Sequence, residues 1–481
     1  MSTIRSAEPA AGTSVASTAD PAADRYRAKI RMYCHGLGDC FLVTLPREAP
    51  VDGREKAFIL IDCGLILGTE NAKTRMQEVV ADIAGTTGGF VDLLVVTHEH
   101  WDHVSGFVQA RKEFEEITFG SVWFGWTENP DDDKAQALVT RRNAAVKALT
   151  ESGIRMRQFG VDGAADTVNG LLNFFGEDID SEQLLGAAGT HSTRGAMEVA
   201  RAFVETPRYC KPTDPPAPFA GTPARLYVLG PPEDEMLLKT SLPSKRDPET
   251  YGIDEIDKWA ALFLDELAID SDTQQSAPFG PQSAIPLEMA RKVPFFSERY
   301  WGGGEDGGAW RRIDGDCLAA STDLALRLDN DTNNTSLVLA IELDDGDVLL
   351  FAADAQVGNW LSWQGLEWSV DGRRVTGPDL LNRTVFYKVG HHGSHNATLR
   401  EKGLEQMTKL QLAMIPVDQG AARKKKWDHM PLPELVEALA VRTGGHLVRS
   451  DTPLPEALGA VLKQVDIASP GGRKLYYEYT L

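Results

Sequence analysis

Before about residue 130 and after about residue 320, apolar positions fall in short strand-length runs; between them they spread at helical spacing. "AKIRMYC" and "CFLVTL" alternate or group apolar residues at strand length, and "HGLGD" between them carries the glycines of a tight turn. "AFILIDCG" reads as a third strand ending at Asp62 and Gly64. Residues 71–84 put Met76, Val79, Val80 and Ile83 on one helical face. "VDLLVVT" is apolar almost throughout, as expected of a strand buried between layers, and "ITFGSVWFG" reads as another strand.

From about 130 to 320, charged helical stretches such as "DDDKAQALVTRRNAAVKALTESG" alternate with a Pro-rich break, "CKPTDPPAPFAGTPA", and a Gly-rich one, "ERYWGGGEDGGAW". One short strand, "ARLYVLGPP", stands alone there, so the region reads as a long, mainly helical insertion. Afterwards "TSLVLAIEL", "DVLLFAAD", "RTVFYKVGHHGSH" and "LAMIPVD" restore the strands, with "DDGD" as a hairpin turn. The expected fold class is α/β (α+β): stacked sheets covered by helices over residues 26–481, interrupted at about 130–320.

Composition narrows the partners. A chain of 481 residues, 42% hydrophobic, can bury a large core. A formal charge of −21 repels polyanions at long range, which disfavours long nucleic acid and leaves a small-molecule or short phosphodiester substrate. Residues 1–25, rich in Ala, Ser, Thr and Pro, read as a disordered tail without the apolar core of a secretory signal. No apolar run reaches membrane-spanning length, so the expectation is a cytoplasmic protein with no membrane partner. Oligomeric state is not set by any of these features. Cys34, Cys40, Cys63, Cys210 and Cys317 form no CxxC pair and read as reduced, mostly buried thiols, Cys63 among them as a small core residue.

The chemistry concentrates in "LLVVTHEHWDHVSG", residues 93–106. Imidazoles and carboxylates together are the ligands of Zn²⁺, Mn²⁺ and Fe²⁺. His98 and His100 stand two apart, so an extended backbone projects both to one side, where they can grip one ion. Asp102 and His103 follow at a helix start and can turn toward a second ion, while Glu99 and Trp101 face away and support the loop. "LLFAAD" ends five apolar residues with Asp354, a carboxylate that is costly to bury without a cation. "VFYKVGHHGSH" ends with His391, His392 and His395. Asn333, Asn334 and Ser336 either position the site or form a turn. Lys388 either neutralises a phosphate or faces solvent, and "ARKKKWDH" is a short basic run beside His429.

This combination resembles the metallo-β-lactamase superfamily, and within it the soluble hydrolase domain of the ComEC DNA-uptake channel proteins. The resemblance rests on "HxHxDH" at His98, His100, Asp102 and His103, on Asp354 and on "HHGS" at 391–394. It extends through "GLGDCFLV" (36–43), "FILIDCG" (58–64), "DNDTNNTSLVLAI" (329–341), "KVGHHGS" (388–394), "WDHMPLPELVEAL" (427–439) and "LVRSD" (447–451). It implies a four-layer αββα sandwich and a metal-dependent hydrolase using a metal-bound hydroxide, with phosphodiesters as the leading substrate class. Two Zn²⁺ ions are implied, with Mn²⁺ or Fe²⁺ as alternatives. His98 and His100 would hold one ion; Asp102, His103 and His392 the second; Asp354 would bridge them. Asp62 would brace the metal loop, Asp102 would also orient the hydroxide, and His391 would contact a phosphate or leaving oxygen. His391 and His392 could exchange roles, with His392 preferred as the ligand. His395, His429 and Lys388 complete the substrate-side candidates.

One departure stands out. Many superfamily members supply a third histidine to the first ion, where this chain has Gly230; His191 is the candidate replacement. Two other functions therefore stay open: hydrolysis of a carbon ester such as a lactone or thioester, which the negative charge favours, and a regulatory binding module with a vestigial metal site.

Overall fold

A computed structural model describes residues 26–158, 162–180, 192–219, 221–243, 285, 287–301, 314–425, 427, 429–455, 458–467 and 472–481. The expected tail at 1–25, and His191, lie outside the described residues. The fold is mixed α/β, built on two large mixed sheets.

The first sheet orders its strands Leu462–Asp466, Lys474–Thr480, Lys29–Tyr33, Phe41–Val51, Arg54–Ile61, Leu93–Val96, Val122–Gly125 and Arg208–Cys210. Pairing is antiparallel as far as Arg54–Ile61 and parallel beyond it. The second orders Leu447–Arg449, Leu412–Ile415, Thr384–Lys388, Val348–Phe351, Val338–Glu342, Arg225–Gly230 and Ala217–Pro218. Here the first four are parallel neighbours and the rest antiparallel.

Period-two alternation decides which face each side chain takes. Val43, Ala57, Ile59 and Ile61 from the first sheet share a core with Leu339, Ile341, Leu349 and Phe351 from the second. Phe41 meets Phe351 edge-on across it, with ring centroids 5.8 Å apart. Their neighbours Leu42, Phe58 and Leu60 point the other way, onto Met76, Val79, Val80 and Ile83 of the helix Ala72–Thr87. Val338, Ala340, Val348 and Leu350 likewise turn onto Trp360 and Trp363 of the helix Val357–Trp363. Burying each of these large apolar side chains stabilises the fold by roughly 1.5–3 kcal/mol before entropy is counted. Cys34, Cys40, Cys63 and Cys210 are buried, and Cys63 is a core residue as its apolar setting suggests.

The 130–320 segment is not helical throughout. Helices Asp133–Gln158, Asp162–Leu172 and Thr193–Arg201 are followed by Arg208–Cys210, which extends the first sheet, and by Arg225–Gly230, which extends the second. "ARLYVLGPP" therefore does not stand alone; its ladder partner is Val338–Glu342, far along the chain. "ITFGSVWFG" divides into Thr118–Phe119, paired with Phe90–Val91, and Val122–Gly125 in the main sheet. Among the described residues no helix is long and apolar enough to cross a membrane.

Candidate metal centre

The site lies where parallel strands of both sheets end. Arg54–Ile61 delivers Asp62 and Leu93–Val96 delivers Thr97 and His98 from one sheet; Val348–Phe351 leads to Asp354 and Thr384–Lys388 to His391 and His392 from the other. Carboxyl ends of parallel strands are where open sheets leave room for a ligand. A backbone bond from Leu337 N–H to Thr97 O, 2.8 Å, joins the two halves beside it.

His100 has extended backbone and caps a single helical turn, Trp101–Val104, which swings Asp102 and His103 inward. That turn is pressed against the first strands: Asp39 N–H donates to Asp102 O and Cys63 N–H to His103 O, both at 2.9 Å. A Cβ on Gly64 would lie 2.4 Å from Asp102 C and His103 N, so only glycine permits this approach. Asp62, Ala353, His391 and His392 all have left-handed backbone, with φ from 38° to 54°. Such strain costs about 1–2 kcal/mol per residue and is tolerated where surrounding structure fixes a functional geometry.

Asp102, His103, Asp354 and His392 form one fully buried group whose ligand atoms lie within 4.8 Å of one another. His392 Nε2 is 2.8 Å from Asp102 Oδ2, and His103 Nε2 is 3.1 Å from Asp354 Oδ2. Two further edges, His103 Nε2 to Asp102 Oδ2 and His392 Nε2 to Asp354 Oδ2, are both 3.8 Å. A tetrahedral site with bonds of about 2.0–2.1 Å has edges of about 3.3–3.4 Å, within the span of these four. Asp102 Oδ1, His103 Nε2 and Asp354 Oδ2 are buried and have no hydrogen-bond partner, which a cation would remedy. The donor set and its geometry fit a divalent ion.

His98 Nε2 and His100 Nδ1 face each other at 3.1 Å, also close to a tetrahedral edge. Neither belongs to a described group of three or more potential ligands. Gly230 is no vacancy: a Cβ there would lie 2.1 Å from Asn359 Oδ1, so Asn359 fills the space.

The far nitrogens fix the tautomers. Carbonyl and carboxylate acceptors require His392 Nδ1–H to donate to Pro416 O at 2.7 Å and His103 Nδ1–H to Asp62 Oδ2 at 2.8 Å. Asp62 also accepts from Thr97 N–H and Oγ1–H, at 2.8 and 2.7 Å. His98 Nδ1 lies 3.1 Å from Thr97 Oγ1 and 3.3 Å from Ser336 Oγ, and Ser336 Oγ accepts from Asp354 N–H at 3.2 Å. Each of these three rings thus turns Nε2 toward the centre. Ser336 and the two asparagines do position the site: Asn334 ties Gln356, Asn359 and Thr240 together, and Asn333 Nδ2 reaches Asp329 Oδ2 and His391 Nε2.

Electrostatics divide the imidazoles. Burial lowers the His103 pKa, but Asp354, Asp39 and Asp102 outweigh it and hold it well above the usual histidine range; His392 is raised in the same way by Asp354 and Asp102. Burial works against ionising Asp354, yet His103, Lys388 and His392 hold its pKa well below the ordinary carboxylate value. Asp102 and Asp354 thus favour the charged form of both neighbouring imidazoles. Burial pushes His100 down to about 3 and His391 to about 4, and lowers His98 as well, so these three stay neutral.

The remaining candidates take different positions. His391 sits beside the group, its N–H bonded to Asp354 Oδ1 at 3.1 Å and its Nδ1 2.8 Å from Ser394 Oγ. His395 is partly exposed and His429 exposed. Lys388 does not face solvent: it is buried, with Nζ donating to Ala353 O at 2.8 Å, paired with Asp39 and 3.4 Å from Asp354 Oδ1. Glu99 and Trp101 turn away from the ligands as expected; Glu99 pairs with Arg142 and accepts from Thr193 Oγ1 at 3.1 Å. Sequence reasoning missed Asp39, Asp329, and the Phe174 and Phe175 rings, which lie 5.4 and 4.9 Å from the His100 ring.

Compared with known proteins, the chain matches no family model and no curated protein.

Proposed function

We propose that this chain is a metal-dependent hydrolase of phosphodiester bonds, with the αββα sandwich of the metallo-β-lactamase superfamily. The observation that carries this reading is the buried Asp102–His103–Asp354–His392 group with its orphaned ligand atoms. Zn²⁺ suits its mixed nitrogen and oxygen donors, and Mn²⁺ or Fe²⁺ are accepted by the same set. Bound ions supply Lewis acidity and water activation there.

The chain's own residues do the rest. Asp62, Pro416 and Thr97, whose hydroxyl hydrogen is already given to Asp62, hold the ligand rings in one tautomer. His391 is neutral; with its Nδ1–H given to Ser394 Oγ, its Nε2 stands beside the centre as an acceptor that Asn333 Nδ2 reaches at 3.4 Å. The aromatic wall of Phe174 and Phe175 dries the side of His100. The test is hydrolysis of bis-p-nitrophenyl phosphate and short oligonucleotides with added Zn²⁺ or Mn²⁺. Turnover is expected in the wild type and absent in Asp354→Ala and His100→Ala; activity that ignores both substitutions refutes the reading. The net charge of −21 favours a second reading, a carbon-ester substrate. A lactone and thioester panel with the same variants separates the two.

A further inference from the structure

Three of the four ligand imidazoles have the far nitrogen held, and His100 is the exception. Its Nδ1 faces His98 Nε2 at 3.1 Å, which leaves Nε2 as the ring's outer nitrogen. That Nε2 is buried and has no hydrogen-bond partner. The next polar atom facing it is Asp329 Oδ1, 3.8 Å away, which is also buried and without a partner. Two orphaned, complementary groups side by side in a residue pair 1% and 5% exposed make a costly arrangement unless they serve each other.

Asp329 is held from its other side. It lies on the last turns of the helix Asp314–Asn333, and Asn333 Nδ2 donates to its other oxygen, Oδ2, at 3.2 Å. That bond leaves Oδ1 directed at the imidazole. On the ring's other flank, Phe174 and Phe175 exclude competing water.

We propose that Asp329 is the positioning residue of the first metal site: its Oδ1 accepts the Nε2–H of His100 and so commits His100 Nδ1 to the ion shared with His98. This rests on the metal-centre reading above. An N–H···O bond forms at about 2.9 Å, so a side-chain shift of about an ångström closes the gap. The arrangement substitutes orientation for the ligand that Gly230 does not provide. With only two protein ligands on the first ion, the tautomer of His100 decides whether the site exists. Losing a carboxylate that orients a metal-binding histidine costs typically about 10–100-fold in metal affinity.

The experiment measures bound zinc by elemental analysis after dialysis against buffered free Zn²⁺, with affinities from chelator competition. The wild type is expected to hold two ions. Asp329→Ala is expected to keep the ion of the Asp102–His103–Asp354–His392 group and to bind the other about 10–100-fold more weakly. Asp329→Asn, whose carbonyl still accepts Nε2–H once the Asn333 amide flips to offer its unpartnered Oδ1 to the new N–H, is expected to stay within a few-fold of wild type, whereas a direct ligand would not tolerate that change. In zinc-loaded wild type, ¹⁵N-labelled imidazole should report His100 protonated at Nε2, a readout that does not need a folded variant. Wild-type affinity in Asp329→Ala, an Asn variant as weak as the Ala variant, or a His100 metallated through Nε2 overturns the proposal while leaving the centre standing. A wild type that binds no zinc overturns the centre and the proposal together.

Discussion

Replacing Asp62 by asparagine tests how far the centre depends on a residue that touches no ion. Oδ1 of Asp62 accepts from Thr97 N–H, and Oδ2 accepts from both Thr97 Oγ1 and His103 Nδ1–H. An asparagine can keep the first bond with its carbonyl, but its amide then presents N–H to His103 Nδ1. Two donors now face each other. Either that bond is lost, or the imidazole moves its proton to Nε2, the atom that must bind the ion. Loss of such a brace costs about 10–100-fold in affinity, or about 1.4–2.7 kcal/mol. The assay is competition between the protein and a chromophoric chelator for Zn²⁺, with circular dichroism to confirm the fold. Asp62→Asn should weaken the second site by that factor. An intact variant whose affinity stays within twofold of wild type refutes the claim that Asp62 sets the His103 tautomer.

Two further outcomes follow from groups around the centre. His35 is buried, donates to Gly64 O at 2.7 Å and has its pKa pushed down to about 4 by burial. Its folded value is below the unfolded one of about 6.5, so the unfolded chain takes up the proton first and stability falls as pH drops through that window, levelling near 4. From pH 6.5 to 5 this residue should cost about 1.6 kcal/mol, so urea titrations at the two pH values should show a smaller acid loss for His35→Gln. An equal loss in both proteins argues against it. Lys388→Met leaves Asp39 and Asp354 buried without their cation, and the metal-free protein should lose about 3–5 kcal/mol in denaturant titration. A neutral result would mean that the pair is not the main counter-charge of those carboxylates.

What could be read from the chain follows from distance along it. His98, His100, Asp102 and His103 share one loop after an apolar strand, so their convergence is visible locally. Asp354 is marked by the apolar residues before it, and His392 by its neighbours. Asp39 carries no such mark: it follows a glycine turn, and its charge partner, Lys388, is the last residue of a strand in the other sheet. For the same reason Lys388 read as a solvent or phosphate contact. Asp329 is one of five aspartates on its helix, and only the packing of that helix over His100 singles it out. Gly230 looked like a missing ligand because the sequence does not show Asn359 in its place. The strands at 208–210 and 225–230 were obscured by helical surroundings, since a strand's identity as a sheet member depends on partners that periodicity does not reveal.

The centre draws Asp102 and His103 from the strand ends of one sheet and Asp354 and His392 from those of the other, so it works as a rivet through the seam between them. Whatever occupies it is gripped by both halves of the chain at once, and its binding free energy adds to the docking of one half on the other. In the metal-free protein the same side chains already meet across that seam, His392 Nε2 lying 2.8 Å from Asp102 Oδ2 and His103 Nε2 3.1 Å from Asp354 Oδ2. A divalent ion entering there would meet ligands already drawn together from both halves, so it would strengthen an existing contact rather than create one.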